Sequence, residues 1–432
     1  MAISLEKIFQ LKKHHTSVKT EFVAGITNFM AMSYILAVHP TIMASAGMPV
    51  GSVATAVALV SGIASIFMGL YSKYPFVLAP GMGTSIFFSF TLVASGIFTW
   101  QQGISLVLFS GILFLLMTIF GFREATAHFL PASIKLGIGA VIGIFLIYLG
   151  LKNSGIIIPT THGLGMAKLN TPNIILTLGG LLLTIALQLR KIPGSMLIGI
   201  ISITLAGTPL GITQWPDKIF SLPPSLEPVM FKFDFSGLTT PSTLPFIFVF
   251  FIGDFFDTLG TLLGVASQAK MLDKNGNLPN IEKPFFVDAV STIIGSCFGL
   301  TTVTTYIESA SGVSVGGRTG LTAIFTGLCF FTALLFTPLI LMVPNIATAP
   351  CLIIVGLMLL DSLSHINFGT LDDTIAPLSM MAITAFSGSI ANGIAVGLIL
   401  YTFIKIVLGK RKELSPGLYL LTAIFMYYLA QQ

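Results

Sequence analysis

Continuous runs of apolar residues, each about 20 long, recur from residue 20 almost to the end of the chain, with the charges confined to short stretches between them. Coiled as an α-helix, such a run spans the hydrocarbon core of a bilayer. The runs predict segments at roughly 20–45, 51–72, 76–98, 102–121, 132–151, 172–190 and 193–209. A Pro-rich stretch at 210–243, with Trp215, Pro223 and Pro224, then reads as an external loop. Beyond it lie segments near 244–267, 285–300, 301–316, 319–343, 347–365, 373–388 and 389–408. The predicted fold class is therefore an all-α polytopic membrane protein of about fourteen spans, arranged seven and seven. Residues 1–19 read as a basic amphipathic cytoplasmic segment. Residues 409–432 read as a basic loop with a last apolar run, 414–430, that is short for a span.

Two segments break the pattern. Residues 301–306 are almost all β-branched or aromatic, which favours extended chain, and from Ser309 the residues turn small and Gly-rich, as at a helix start. Residues 77–90 behave alike: extended, then interrupted by Pro80, Gly81 and Gly83, then helical from about Ser85. Pro80 lies 224 residues before Thr304, the same offset as between the starts of the first and eighth segments. An odd number of segments per half gives the halves opposite orientations, so the pattern predicts an inverted repeat. Broken segments at matching positions of two halves point to a transporter's midplane site.

Composition sharpens this picture. At 54% hydrophobic and 9% charged, the 432 residues leave no room for a separate soluble domain. The net charge of +5 is scattered over short loops, which fits membrane orientation better than nucleic-acid binding. With the N-terminus inside, Lys73, Arg123, Arg190, Lys191, Lys270, Lys274, Arg318, Lys410, Arg411 and Lys412 fall on the cytoplasmic side, and Lys152, Lys168 and Lys218 outside. The N-terminus shows no cleavable signal, so the first segment would direct insertion. Cys297, Cys329 and Cys351 lie in apolar runs without metal-ligand spacing and read as packing residues. No nucleophile–base pair or metal cluster appears, so neither an enzyme nor a cofactor is expected.

The candidate chemistry is acidic. Glu308 sits at the second break, and Asp254 and Asp257 lie in the middle of the eighth segment. An acid at membrane depth costs about 2.5–3.5 kcal/mol on insertion scales, so such residues are functional candidates. Asp254, the deeper, is expected to bind substrate or a coupling proton, and Asp257, with Thr258 and Thr261, to support the site. Asp288 reads as a helix-start charge, and His39 as the end of the first segment. The half-helix starts at Ser85 and Ser309 would aim N–H groups at the same centre. That pocket suits a small, planar, polar solute, with Phe87, Phe88, Phe255 and Phe256 available for stacking. Sodium coupling stays open beside proton coupling.

The stretches TEFVAGITNFMAMSYILAVHP, YPFVLAPGMGTSIFFSF, FIGDFFDTLGTLLGVA and TTVTTYIESASGVSVGGRTGLTA resemble the AzgA-like purine permeases for adenine, guanine and hypoxanthine, relatives of the uracil and xanthine permeases. The resemblance runs from about residue 20 to 408. It implies a fourteen-helix, seven-plus-seven inverted repeat, with segments 1–4 and 8–11 as a core domain and 5–7 and 12–14 as a gate domain. It also implies purine:proton symport by an elevator-like movement, residence in the plasma membrane, and a homodimer. Asp254 and Glu308 fall on the family's purine-binding acids, and Asp257 on a supporting acid. The sequence departs from the family at Thr84 and Ser85, where Leu-Asn is usual, and at His39, where Asn is usual. Losing an amide changes the pocket's donors and acceptors, so the base selected is not fixed, and uracil, xanthine or a small anion are the alternatives.

Overall fold

The structure, a computed structural model, describes residues 2–120, 131–160, 163–236, 238, 243–273, 277–366, 369–387 and 390–430. Arg123 and Lys274, both expected on the cytoplasmic side, lie outside the described residues.

The chain opens with α1 (Ala2–Phe9), whose Phe9 is buried beside Leu11 and Leu321. The first segment is bent: α2 (Val18–Met32) and α3 (Ile35–Ala44) meet at a turn formed by Ser33 and Tyr34. It continues past His39 and Pro40, which lie inside α3 rather than at its end. Then come α4 (Val50–Tyr71), strand β1 (Leu78–Pro80), α5 (Met82–Ile86), a π-helical stretch (Phe87–Val93), and α6 (Trp100–Ile119). Next are α7 (Ala132–Asn153), α8 (Pro172–Leu189) and α9 (Ser195–Ala206). Between α7 and α8 sits an antiparallel hairpin, β2 (Ile157–Thr160) with β3 (Gly163–Met166), which the apolar pattern does not predict. The described part of residues 207–236 forms turns and irregular chain, as the Pro-rich composition implies.

After residue 243 the chain forms α10 (Leu244–Gln268), α11 (Glu282–Cys297), strand β4 (Val303–Thr305), the short α12 (Ser309–Ser314) and α13 (Gly320–Ala333). Following these are α14 (Thr337–Leu341), α15 (Asn345–Leu359), α16 (Leu371–Ser387), α17 (Ile390–Val407) and α18 (Pro416–Ala430). By length and composition, seven helices among the described residues can cross a membrane. α18 packs against α17 and α10, with Thr402 and Thr422 joined through their hydroxyls at 2.8 Å.

The two broken segments meet. β1 and β4 form an antiparallel ladder with Leu78 opposite Thr305, Ala79 opposite Thr304 and Pro80 opposite Val303. It extends at both ends, Tyr306 N–H donating to the Val77 carbonyl at 2.9 Å and Gly81 N–H to the Thr302 carbonyl at 2.8 Å. Backbone groups that neither segment could satisfy alone in a bilayer are thereby paired. Helical structure resumes at Met82 rather than near Ser85, directly after Gly81, where a Cβ would lie 2.9 Å from Thr84 Oγ1.

Two seams of close backbone approach organise the helices around the ladder. Where α4 crosses α13, a Cβ on Gly320 would lie 2.0 Å from the Gly69 carbonyl oxygen, and one on Gly69 2.2 Å from the Gly320 oxygen. Where α7 crosses α15, a Cβ on Gly356 would lie 2.6 Å from the Gly143 oxygen. Small residues are what allow membrane helices to pack backbone to backbone.

Polar groups fasten the ends of elements. The fully buried Glu21 carboxylate accepts from the backbone N–H groups of Arg318, Thr319 and Thr322, capping the start of α13. The Arg318 guanidinium donates to the Val313 and Gly317 carbonyls at the end of α12. Asn28 Oδ1 accepts from Gly312 N–H at 2.6 Å. Elsewhere, the almost fully buried Lys405 donates to Asp372 and Glu413 at 2.8 and 2.7 Å and lies 3.2 Å from Asp373. This cluster joins α16, α17 and the approach to α18.

Candidate binding site

A cavity of about 600 Å³ opens beside the ladder. One wall comes from the broken segments, α10 and the bend of the first segment: Tyr34, Thr84, Asp257 and Glu308 lie on it. The opposite wall comes from α7 and α15 and is largely apolar, with Ile138, Ile142, Val355 and Met358, and Asp361 adds a third carboxylate. The cavity is thus lined by the broken segments and α10 together with α7 and α15.

Helical geometry decides which acid of α10 faces the cavity. At about 100° per residue, Asp254 and Asp257, three apart, are rotated by about 60° about the helix axis, enough at the edge of a lining face to put one on the cavity and the other off it. Asp257 and Thr261 line the cavity. Asp254 and Thr258 form a neighbouring stripe that points behind it. There the buried Asp254 Oδ2 accepts from Thr292 Oγ1 at 2.9 Å, and the same hydroxyl accepts from Val303 N–H at 2.9 Å. The Thr258 hydroxyl donates to Asp288 Oδ2 and bonds Thr304 Oγ1 at 2.7 Å, while Asp288 Oδ2 also accepts from Thr305 N–H at 3.1 Å. Asp254 and Asp288 therefore brace β4 from behind. In the structure Asp257 lines the cavity, whereas Asp254 lies behind it against Thr292. Asp288 is not a helix-start charge, since α11 begins six residues before it and the residue is fully buried.

The first break divides in the same manner. Thr84 lies on the cavity and its hydroxyl bonds Thr302 Oγ1 at 2.7 Å. Ser85, one residue on, turns away, and its hydroxyl meets Thr301 Oγ1 at 2.7 Å, the Gly81 carbonyl and His39 Nδ1 at 3.1 Å. His39 is fully buried there and does not reach the cavity. Ser309 likewise acts behind the wall: its hydroxyl accepts from Val77 N–H at 3.1 Å and donates to the Tyr306 carbonyl at 2.6 Å, tying the two broken segments together. Of the four Phe candidates, Phe256 lines the cavity. Phe255 stacks on Phe285, Phe87 packs edge-on to Phe250, and Phe88 lies against Gly103.

Two tyrosines complete the site, and neither stood out in the sequence. The Tyr34 hydroxyl donates to Glu308 Oε1 at 2.8 Å, and the Tyr306 hydroxyl donates to the Pro80 carbonyl. The bend at Ser33 and Tyr34 is what brings Tyr34 across to the second break. An ionised carboxylate only accepts hydrogen bonds. Asp257 and Glu308 together therefore offer two acceptor groups on one wall, with Tyr306 and Phe256 supplying flat apolar surface. Such a cavity takes a flat solute that carries ring or exocyclic N–H donors.

Helices long enough to cross a bilayer, two broken segments paired at their breaks and an acid-lined cavity beside them define a multi-pass membrane transporter. The chain belongs to the Permease family, whose model (Xan_ur_permease) matches residues 19–400. It is 37% identical to the adenine permease AdeP of Escherichia coli, across 98% of this chain and 95% of that protein. It is 34% identical to the guanine/hypoxanthine permease PbuO of Bacillus subtilis, across 98% and 99%. The transmembrane domain of a cyanobacterium bicarbonate transporter, BicA, superposes with a TM-score of 0.64 at 15% identity, covering 89% of this chain and 97% of that one, a likeness of fold alone.

Proposed function

We propose that this protein imports a purine nucleobase, adenine, guanine or hypoxanthine, across the plasma membrane together with a proton, Asp257 and Glu308 accepting N–H groups of the base. The observation that carries the reading is that these two carboxylates face one cavity of about 600 Å³, a volume in the range of small-molecule sites. An anion would meet them unfavourably. Names of relatives at 34–37% identity over nearly the whole chain support the substrate class.

The same reading takes the chain as fourteen segments in two inverted repeats of seven. What supports it is the recurrence of helix, helix, strand and short helix before α6 and again before α13. Segments 1–4 and 8–11 form the core that carries the acids, and segments 5–7 and 12–14 form the gate. The seam of α4 with α13 lies within the first body and that of α7 with α15 within the second. Sliding one body past the other would carry the base, an elevator-like movement.

Cells expressing the protein are expected to accumulate one of radiolabelled adenine, guanine and hypoxanthine, and to lose accumulation on addition of a protonophore. Absence of uptake of all three by protein shown to be folded in the membrane would overturn the substrate. Uptake that resists the protonophore but needs sodium would overturn the coupling ion.

Placement of the acids gives a sharper expectation. Asp257→Asn should raise KM for the base about 10- to 150-fold, as hydrogen bonds to a charged acceptor are worth about 1.5–3 kcal/mol. Asp254→Asn should leave KM within about threefold while lowering the thermal stability of the purified protein, because it disturbs the brace behind β4. Measuring both KM and melting temperature separates the two, and the reverse pattern would return substrate binding to Asp254.

A further inference from the structure

The hydroxyl of Tyr34 has a task that the proposed cycle leaves unassigned. Tyr34 is 2% exposed and its ring belongs to the main apolar core, yet it borders the cavity and reaches Glu308 Oε1 at 2.8 Å. Among the described residues this is the one side-chain hydrogen bond made to Glu308. Glu308 stands on the turn before a six-residue helix, at the end of a long side chain with several rotatable bonds. Left without a partner, such a side chain spreads over rotamers, and ordering it on binding weakens affinity. Tied at Oε1, it keeps one orientation, and a carboxylate with up to four acceptor positions has capacity left for a ligand.

We propose that Tyr34 is a positioning residue for substrate recognition: by engaging Glu308 Oε1 it presents Oε2 to a single ring N–H of the base, and so fixes which edge of the ring is read. This rests on the purine reading above. Asp257, on the same wall, then accepts from a second N–H group, so that a base meets the two acids in one orientation.

Tyr34→Phe removes the hydroxyl and keeps the ring that packs in the core. The test measures, in cells expressing wild type or Tyr34→Phe at matched membrane levels, KM and maximal rate for the transported base. It also measures competition by that base's 1-, 3-, 7- and 9-methyl derivatives. In the wild type, one methyl position is expected to weaken competition at least 30-fold, since it replaces the N–H that Glu308 reads. In Tyr34→Phe, KM should rise about 10- to 100-fold with the maximal rate within threefold. The penalty at that one methyl position should shrink to a few-fold, because a carboxylate no longer held in place distinguishes the edges poorly. Glu308→Asp withdraws the carboxylate from the hydroxyl and should flatten the same methyl pattern, which supplies the test if Tyr34→Phe reaches the membrane poorly. An unchanged KM in Tyr34→Phe, or a raised KM with the methyl pattern intact, would overturn the assignment. Failure of the wild type to take up any base is a separate result, which removes the purine reading and this inference with it.

Discussion

Glu308→Gln is expected to reduce uptake of the transported base by more than 100-fold while leaving folded protein in the membrane. Two losses combine in this variant. The amide keeps one acceptor oxygen but brings an NH₂ donor, so the Tyr34 hydroxyl and a ring N–H of the base can no longer both find a carboxylate oxygen. A neutral side chain also cannot take up a proton, so if Glu308 carries the coupled proton, accumulation against a gradient stops as well. Folding should survive, because Glu308 lies on the cavity wall and its one side-chain bond is to Tyr34, outside the seams that hold the helices. Uptake by cells and size-exclusion behaviour of the detergent-extracted protein are the two measurements. Full activity in this variant would remove Glu308 from the site.

Gly69→Val is expected to have an effect of comparable size by another route, loss of folded protein. The added Cβ would sit 2.2 Å from the Gly320 carbonyl oxygen, and the atom it meets is backbone, which cannot swing aside as a side chain can. The seam between α4 and α13 would have to open along its length, and Gly327 faces the Gly62 oxygen across the same seam. Small-to-large changes in packed cores commonly cost 1–3 kcal/mol even where side chains give way. A collision with backbone exceeds that. Membrane yield should fall at least tenfold, as read by fluorescence of a C-terminal fusion after detergent extraction. Gly260→Val, at a position of α10 where a Cβ meets nothing within 4 Å, is the matched control and should keep its yield.

Much of this architecture is written into local chemistry. Pro80, Gly81 and the β-branched run at 301–305 are poor helix residues, so the two breaks were legible, and a lone acid beside one of them marked Glu308. That the breaks pair with each other was not, because strand pairing over more than 200 residues leaves no trace in either strand alone. Which of Asp254 and Asp257 lines the cavity was not legible, for a simple reason. Three residues on a helix differ by some 60°, and the apolar pattern of α10, with Phe on every side, fixes no absolute rotation. Ser85 and Thr84 were grouped on the same account, though neighbours in a helix point about 100° apart. Tyr34 gave no signal, since a tyrosine among apolar residues ordinarily reads as packing; its role depends on the bend at Ser33, which no Pro or Gly announces. Glu21 carried no signal of its own, yet the structure makes it the cap of a helix almost 300 residues away.

The ladder of β1 with β4 bears on how the protein is made. During synthesis residues 78–80 emerge more than 200 residues ahead of residues 303–305; until the later strand arrives Leu78 has the Ser65 hydroxyl near its N–H and C=O, and the rest of the strand lacks its ladder partners. Bare backbone is not tolerated in lipid. The rest of the first broken segment therefore needs shelter, outside the hydrocarbon or within the insertion machinery, so the first half is not a finished unit when its last helix leaves the ribosome. Commitment of the early segments to their final depth is thus deferred to the second half of translation.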